Sequence, residues 1–123
     1  MPKDNKFDLE DRLIDFAARC IKGASALPSN KAGQHLMDQL TRSGASPALN
    51  YGEAQGAESR KDFIHKMKVG LKELRETVVC LKIIVKAELL ESQKLTPLIR
   101  EADELISIFV TSINTAKKNM EKE

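Results

Sequence analysis

Residues 61–75 contain a regularly spaced row of basic side chains. Its five members follow one another at steps of four, three, four and three: Lys61, His65, Lys68, Lys72 and Arg75. In an α-helix this spacing places all five on one face, as a basic stripe about four turns long. Such a row suits the phosphate backbone of a nucleic acid, to which affinity falls steeply as salt rises. The alternative is an ordinary solvated helix face, neutralised by the nearby Glu73 and Glu76.

The positive charge of the chain is concentrated in the same region. The whole chain carries a net charge of +2, whereas residues 59–88 hold eight Lys or Arg and four Asp or Glu, a net +4. One Tyr, four Phe and no Trp supply few rings for base stacking, so backbone contact is favoured over the reading of single-stranded bases. The stripe therefore predicts RNA or DNA as a partner, held through its phosphates.

A second group of polar residues, Ser46, Asn50 and Glu53, steps by four and three. In a helix the three share one face, where Asn and Glu can hydrogen-bond a ligand or a partner helix. Alternatively they satisfy one another, Arg42, or backbone groups near Pro47, as buried polar groups usually do. A small-molecule pocket around Asn50 and Glu53 is a third, more remote interpretation. The group has no base comparable to histidine, so nucleophilic catalysis is not expected.

The sequence contains no pattern typical of a metal site, a cofactor site or a catalytic centre. His35 and His65 are isolated, and no Glu-x-x-His motif accompanies Glu73, which argues against a di-iron bundle. The chain has no phosphate-binding glycine loop and no GxGxxG, HExxH or CxxC motif. Cys20 and Cys80 fall on apolar helical faces and are predicted to be small, reduced core residues. We expect no cofactor, no metal and no enzymatic activity.

Four amphipathic segments would position these residues. Apolar side chains recur at helical spacing in each, which predicts helices at approximately 8–26, 30–57, 59–89 and 92–118. Pro28 separates the first two, and Ser59, with Asp62 three residues on, is a good start for the third. The short connections favour antiparallel neighbours. The predicted fold class is all-α: one antiparallel up-and-down four-helix bundle over residues 1–123.

The stretch TRSGASPALNYGEAQG, residues 41–56, decides whether the second segment is one helix. Its small residues and Pro47 are compatible with a loop between two domains. They are also compatible with a helix whose small side chains let a neighbouring backbone approach closely, with a kink at Pro47. The flanking segments are too short to be separate domains, so the sequence favours the helix.

The third and fourth segments carry more apolar surface than one bundle core can use, most clearly from Thr77 to Val85. We expect other copies of the chain to bury this apolar surface, so a homo-oligomer is predicted. The second hypothesis is a module that docks a different protein through the apolar sides of these two helices, without nucleic acid. No apolar run reaches the ~18 residues of a membrane span. The N-terminus lacks the apolar core of a signal peptide, so a cytoplasmic protein with no membrane partner is expected.

Residues 39–63 resemble the bacterial four-helix-bundle family of 23S rRNA intervening-sequence proteins. The matching positions are Gln39, Leu40, Arg42, Ser46, Asn50, Glu53, Gly56, Ser59, Asp62 and Phe63. The run at 72–77 and the pattern at 90–95 extend the resemblance to roughly residues 7–118. Pro47 and the pair Tyr51-Gly52 depart from the residues usual in the family. We call Arg42, Ser46, Asn50 and Glu53 the polar face, since they belong to this motif and could serve structure or binding.

The resemblance implies a four-helix bundle with residues 41–56 inside its second helix. It also implies a ring-shaped homo-oligomer, a pentamer. The similar accessory protein of diversity-generating retroelements forms such a ring and binds a reverse transcriptase and nucleic acid. No enzymatic activity is established for the wider family, whose ribosomal connection comes from genes located inside rRNA genes.

Overall fold

The computed structural model describes residues 8–123, which form four α-helices and no β-strand. They are α1 (Leu9–Ser25), α2 (Lys31–Gln55), α3 (Arg60–Lys86) and α4 (Ser92–Glu121). Each helix begins and ends within three residues of the predicted position. The all-α prediction is confirmed.

Side-chain caps begin the first three helices. The carboxylate of Asp8 accepts a hydrogen bond from the backbone N–H of Asp11, and the amide oxygen of Asn30 accepts one from Gly33. The Ser59 hydroxyl oxygen accepts a hydrogen bond from the backbone N–H of Asp62 at 3.0 Å, as its position in the sequence predicted. Each cap satisfies a backbone donor that the first helical turn leaves unpaired.

The helices pack in chain order into an up-and-down bundle. α2 packs along α1 and α3, α3 packs along α4, and a narrower contact between α1 and α4 closes the bundle. Two ion pairs show that α2 and α3 are antiparallel. The later residue of α2, Glu53, pairs with the earlier residue of α3, Lys66, and the earlier Arg42 pairs with the later Glu73. α1 and α3 therefore point the same way and occupy opposite corners.

Large aliphatic and aromatic side chains from all four helices fill the centre. The fully buried ones include Leu13, Phe16, Leu40, Met67, Leu74, Leu81, Ile84, Leu105 and Phe109. Burial of each such side chain contributes about 1.5–3 kcal/mol relative to exposure. This burial fixes which side of α3 faces inward, and with it which side is left for solvent.

Residues 41–55 lie inside α2 and Gly56 is its C-cap, so the domain-linker interpretation is wrong and the helix interpretation is correct. Pro47 is buried within the helix. It has no N–H to donate to the Ser43 carbonyl one turn earlier, which weakens the helix at that point. Gly44 faces Cys20 of α1 with no space for a side chain, so the small residues do allow close approach of the two helices. Tertiary packing thus stabilises a helix of low intrinsic propensity.

Candidate nucleic-acid interface

All five side chains of the basic stripe are exposed along one side of α3. The opposite side of the helix carries Leu74, Leu81 and Ile84, which are completely buried. Because core packing holds α3 in this rotation, the stripe faces solvent over its full length. From Lys61 to Arg75 it spans about 21 Å along the helix axis.

The cations of the stripe have no acidic partner among residues 8–123. Lys61, Lys68, Lys72 and Arg75 form no ion pair there. Two other cations of α3 are paired: the Lys66 Nζ lies 2.7 Å from a carboxylate oxygen of Glu53, and the Arg60 Nε lies 2.6 Å from one of Glu123. The positive charge of the stripe is therefore not neutralised by an ion pair within residues 8–123, and the same holds for Lys82 and Lys86 further along α3.

Glu73 and Glu76, the expected neutralising residues, are turned towards α2. Glu73 receives a hydrogen bond from the Arg42 guanidinium at 3.5 Å, and Glu76 receives one from the Gln39 amide at 3.5 Å. Both carboxylates are half-buried between the helices. They stabilise the α2–α3 packing instead of screening the stripe.

A groove of about 980 Å³ runs between α2 and α3 beside the stripe. We call it the α2/α3 groove, lined by His35, Leu36, Gln39 and Arg42 of α2 and by Lys68, Leu71, Lys72, Arg75, Glu76, Val79, Cys80 and Ile83 of α3. Basic residues thus edge one half of the groove, and apolar residues line the other. A groove with a basic half and an apolar half can take a partner that is partly apolar and negatively charged.

Comparison with known proteins places this bundle in a family. Residues 5–111 match the family described as 23S rRNA-intervening sequence protein. The chain belongs to this family. It is also similar to a crystal structure from Bacteroides thetaiotaomicron, titled as a protein with unknown function from the S23 ribosomal protein family. The two share 28% identity and a TM-score of 0.80, over 85% of this chain and 97% of the other. No curated protein matches the chain significantly.

The polar face of this family member makes its contacts within the bundle. The side-chain amide of Asn50 donates to the carbonyl oxygen of Ser46 at 3.0 Å or to its hydroxyl at 2.9 Å. Glu53 pairs with Lys66, and Arg42 bonds the amide oxygen of Gln39 at 3.0 Å. These contacts correspond to the structural interpretation of the motif. A binding role for the four residues stays a prediction.

Two further basic residues continue the spacing of the stripe, and the sequence reasoning missed them. After Arg75 the steps of four, three and four reach Val79, Lys82 and Lys86, all exposed. The signal was present in the spacing, but the apolar run around Val79 hid it. The exposed side of α3 therefore has a basic first half, an apolar middle and a basic end.

The exposed apolar side chains lie partly where the sequence predicted them. On α3 they are Val79 and Ile83, 57% and 47% exposed. On α4, Ile99, Ile106 and Val110 are half-buried, and Met120 is 38% exposed. α1 instead shows Ile14 and Ile21, 54% and 44% exposed, which the sequence reasoning did not single out.

Within residues 8–123 no group of three or more His, Cys, Asp and Glu side chains could hold a metal ion. No helix in this part of the chain is both long and apolar enough to cross a membrane. Cys20 and Cys80 are buried and unbonded. Burial raises the pKa of both thiols, that of Cys20 to about 12. Both cysteines are thus core residues, as predicted.

Proposed function

We propose that this protein is a cytoplasmic, non-enzymatic adaptor that binds the phosphate backbone of nucleic acid through the basic stripe. One observation carries the proposal. Lys61, Lys68, Lys72 and Arg75 are exposed on one face of α3 and form no ion pair with any residue from 8 to 123.

Electrostatic attraction supplies the mechanism. Four cations that bind phosphates release counterions from the nucleic acid. The logarithm of the binding constant should then fall with the logarithm of the salt concentration with a slope of roughly −3 to −4. Affinity then drops about 100-fold between 50 and 200 mM salt. Because phosphate contacts carry no sequence information, this binding depends on phosphate spacing and not on base sequence.

The names of the related proteins favour RNA as the first probe. The name of the family refers to an intervening sequence of 23S rRNA. The similar crystal structure is assigned to a ribosomal protein family. Neither name describes a measured activity. They support the choice of double-stranded RNA beside DNA of equal length.

The test compares two triple variants that remove the same charge. Lys61→Gln/Lys68→Gln/Lys72→Gln neutralises the stripe, and Lys22→Gln/Lys117→Gln/Lys118→Gln neutralises three exposed cations on α1 and α4. Binding to RNA and DNA duplexes is measured by fluorescence anisotropy at 50 and 200 mM salt. We expect the stripe variant to lose at least tenfold in affinity and most of the salt slope, and the control to keep both. An equal loss in the two variants, or no binding by the unmodified protein, would overturn the proposal.

Docking of a different protein is the second candidate function, and the exposure of Val79 and Ile83 favours it. Apolar docking would persist at high salt, whereas phosphate binding would not. Partner binding that survives 1 M salt and is lost in Val79→Ser/Ile83→Ser would establish this alternative. The homo-oligomer expected from the sequence also stays a proposal.

A further inference from the structure

The row of exposed residues that contains the basic stripe continues to the end of α3. After Arg75, steps of four, three and four pass Val79 and reach Lys82 and Lys86, all of them exposed. α3 is uninterrupted over this length. At about 100° per residue, the row from Lys61 to Lys86 stays within a band about 100° wide, and at 1.5 Å per residue it is about 38 Å long. The row is therefore one surface, nearly twice as long as the stripe.

Lys82 and Lys86 add positive charge to this surface. Neither forms an ion pair with any residue from 8 to 123. α3 also contains no Asp or Glu after Glu76. Lys86 lies in the last turn, where a cation interacts favourably with the helix dipole. The dipole does not select the side of the helix on which a cation lies, whereas both lysines lie on the side of the stripe.

A gap without cations separates the two basic parts of the row. Residues 76–81 contain no Lys or Arg, and the member of the row in this interval is Val79, which is 57% exposed. From Arg75 to Lys82 the gap is about 10 Å long. The acid beside it, Glu76, is half-buried. A phosphate opposite the gap would therefore meet an apolar side chain and a nearby carboxylate, with no cation to offset its loss of solvation.

The gap distinguishes a duplex from a single strand. A single strand has a phosphate at every nucleotide, so a strand laid along the row would place phosphates opposite Val79. A duplex presents two strands separated by grooves, about 12 and 6 Å wide in B-DNA, and the minor groove of duplex RNA is also wide. A groove can lie opposite the gap while the strands on its two sides meet Arg75 and Lys82. The length also agrees, because about 38 Å is close to one turn of B-DNA, within which both strands cross the row.

We propose that α3 lies along a nucleic-acid duplex and contacts both of its strands. Lys72 and Arg75 contact the strand on one side of a groove, Lys82 and Lys86 contact the strand on the other side, and Val79 faces the groove between them. At 3.4 Å per base pair, a duplex must have about 11 base pairs to cover the whole row. This two-strand contact rests on the proposed function, to which it adds two residues, a second strand and a minimum length.

Duplexes shorter and longer than the row test the two-strand contact. G·C-rich DNA duplexes of 8 and 16 base pairs are about 27 and 54 Å long, so the first covers the stripe and only the second also reaches Lys86. RNA duplexes of the same lengths and a 16-nucleotide single strand are measured beside them, by fluorescence anisotropy at 50 and 200 mM salt. For the unmodified protein the logarithmic salt slope should steepen from roughly −3 to −4 on the short duplex to roughly −5 on the long one, because two more cations contact phosphates. The single strand should bind at least tenfold more weakly than the long duplex at 50 mM salt.

A pair of matched double variants tests the two added lysines. Lys82→Gln/Lys86→Gln removes the second contact, and Arg19→Gln/Lys22→Gln removes two cations from α1, at the opposite corner of the bundle. On the 16-base-pair duplex the first variant should lose at least tenfold in affinity at 50 mM salt and about 1.8 from the salt slope, whereas the control should keep both. On the 8-base-pair duplex it should lose less than threefold, since that duplex binds the stripe without reaching Lys82. Circular dichroism shows whether each variant folds, and the comparison of duplex lengths needs no variant.

Three results would overturn the two-strand contact and leave the proposed function standing, provided that the stripe variant still loses its salt-sensitive binding. They are equal salt slopes of the unmodified protein on the two duplex lengths, a Lys82→Gln/Lys86→Gln variant that matches its control on the long duplex, and a single strand that binds as tightly as the duplex. If the unmodified protein binds no duplex in a salt-sensitive way, the proposed function is wrong and the two-strand contact with it.

Discussion

Gly44 of α2 faces Cys20 of α1 at a separation that admits no side chain at position 44. A Cβ added there would lie 2.5 Å from the Cys20 Cβ and 2.7 Å from its Sγ. Gly44→Ala should therefore lower the free energy of unfolding by about 1–3 kcal/mol, because the two helices must move apart. This loss should exceed the stabilisation of up to ~1 kcal/mol that alanine gives over glycine through its higher helix propensity. Urea unfolding followed by circular dichroism measures the change.

Gly52 is the matched control on the same helix. A Cβ there would meet nothing within 4 Å. Gly52→Ala should raise the free energy of unfolding by about 0.5–1 kcal/mol through helix propensity alone. Opposite signs for the two changes are expected. The same sign for both would mean that close approach of α1 does not explain the glycine in α2.

Ser43 and Thr77 form a completely buried polar contact between α2 and α3. Their hydroxyl oxygens lie 3.0 Å apart, and the Thr77 hydroxyl is also 2.8 Å from the carbonyl oxygen of Glu73. Thr77→Val should lower the free energy of unfolding by about 1–2 kcal/mol, because the Ser43 hydroxyl loses its partner. Ser43→Ala/Thr77→Val should cost less than the sum of the single changes. Strict additivity would show that the two hydroxyls do not depend on each other.

The two cysteines should be unreactive while the protein is folded. Burial raises the pKa of the Cys20 thiol to about 12 and also raises that of Cys80. The thiolate is the reactive form, so iodoacetamide at pH 8 should label neither residue in the native protein and both in guanidinium. Mass spectrometry of labelled peptides gives the result. Rapid labelling of Cys20 in the native state would contradict its burial against Gly44.

The helices and their order were predictable because the signals that create them are local. Apolar spacing, the caps at Asp8 and Ser59, and the proline between the first two segments act within one or two turns. The position of the basic stripe was predictable for the same reason, since five residues at helical spacing must share a face. Even the continuity of α2 through Pro47 could be inferred, because the segments on either side are too short to fold separately.

The environment of each charge could not be predicted in this way. Glu73 and Glu76 are neighbours of the stripe in sequence, yet both turn to α2, where Arg42 and Gln39 bind them. Only the rotation of one helix against the next selects those partners. The same packing left Ile14 exposed on α1 and half-buried Ile99, Ile106 and Val110 on α4.

The amino-acid sequence by itself thus determined four helices, their antiparallel order and the existence of a cationic face, since each follows from interactions within a helix or from short connections. Tertiary structure alone decided which cations are left without a partner and which apolar side chains stay uncovered. Those properties depend on contacts between residues tens of positions apart, such as Arg42 with Glu73. The spacing of residues along one helix does not show which side chains of a neighbouring helix will contact them.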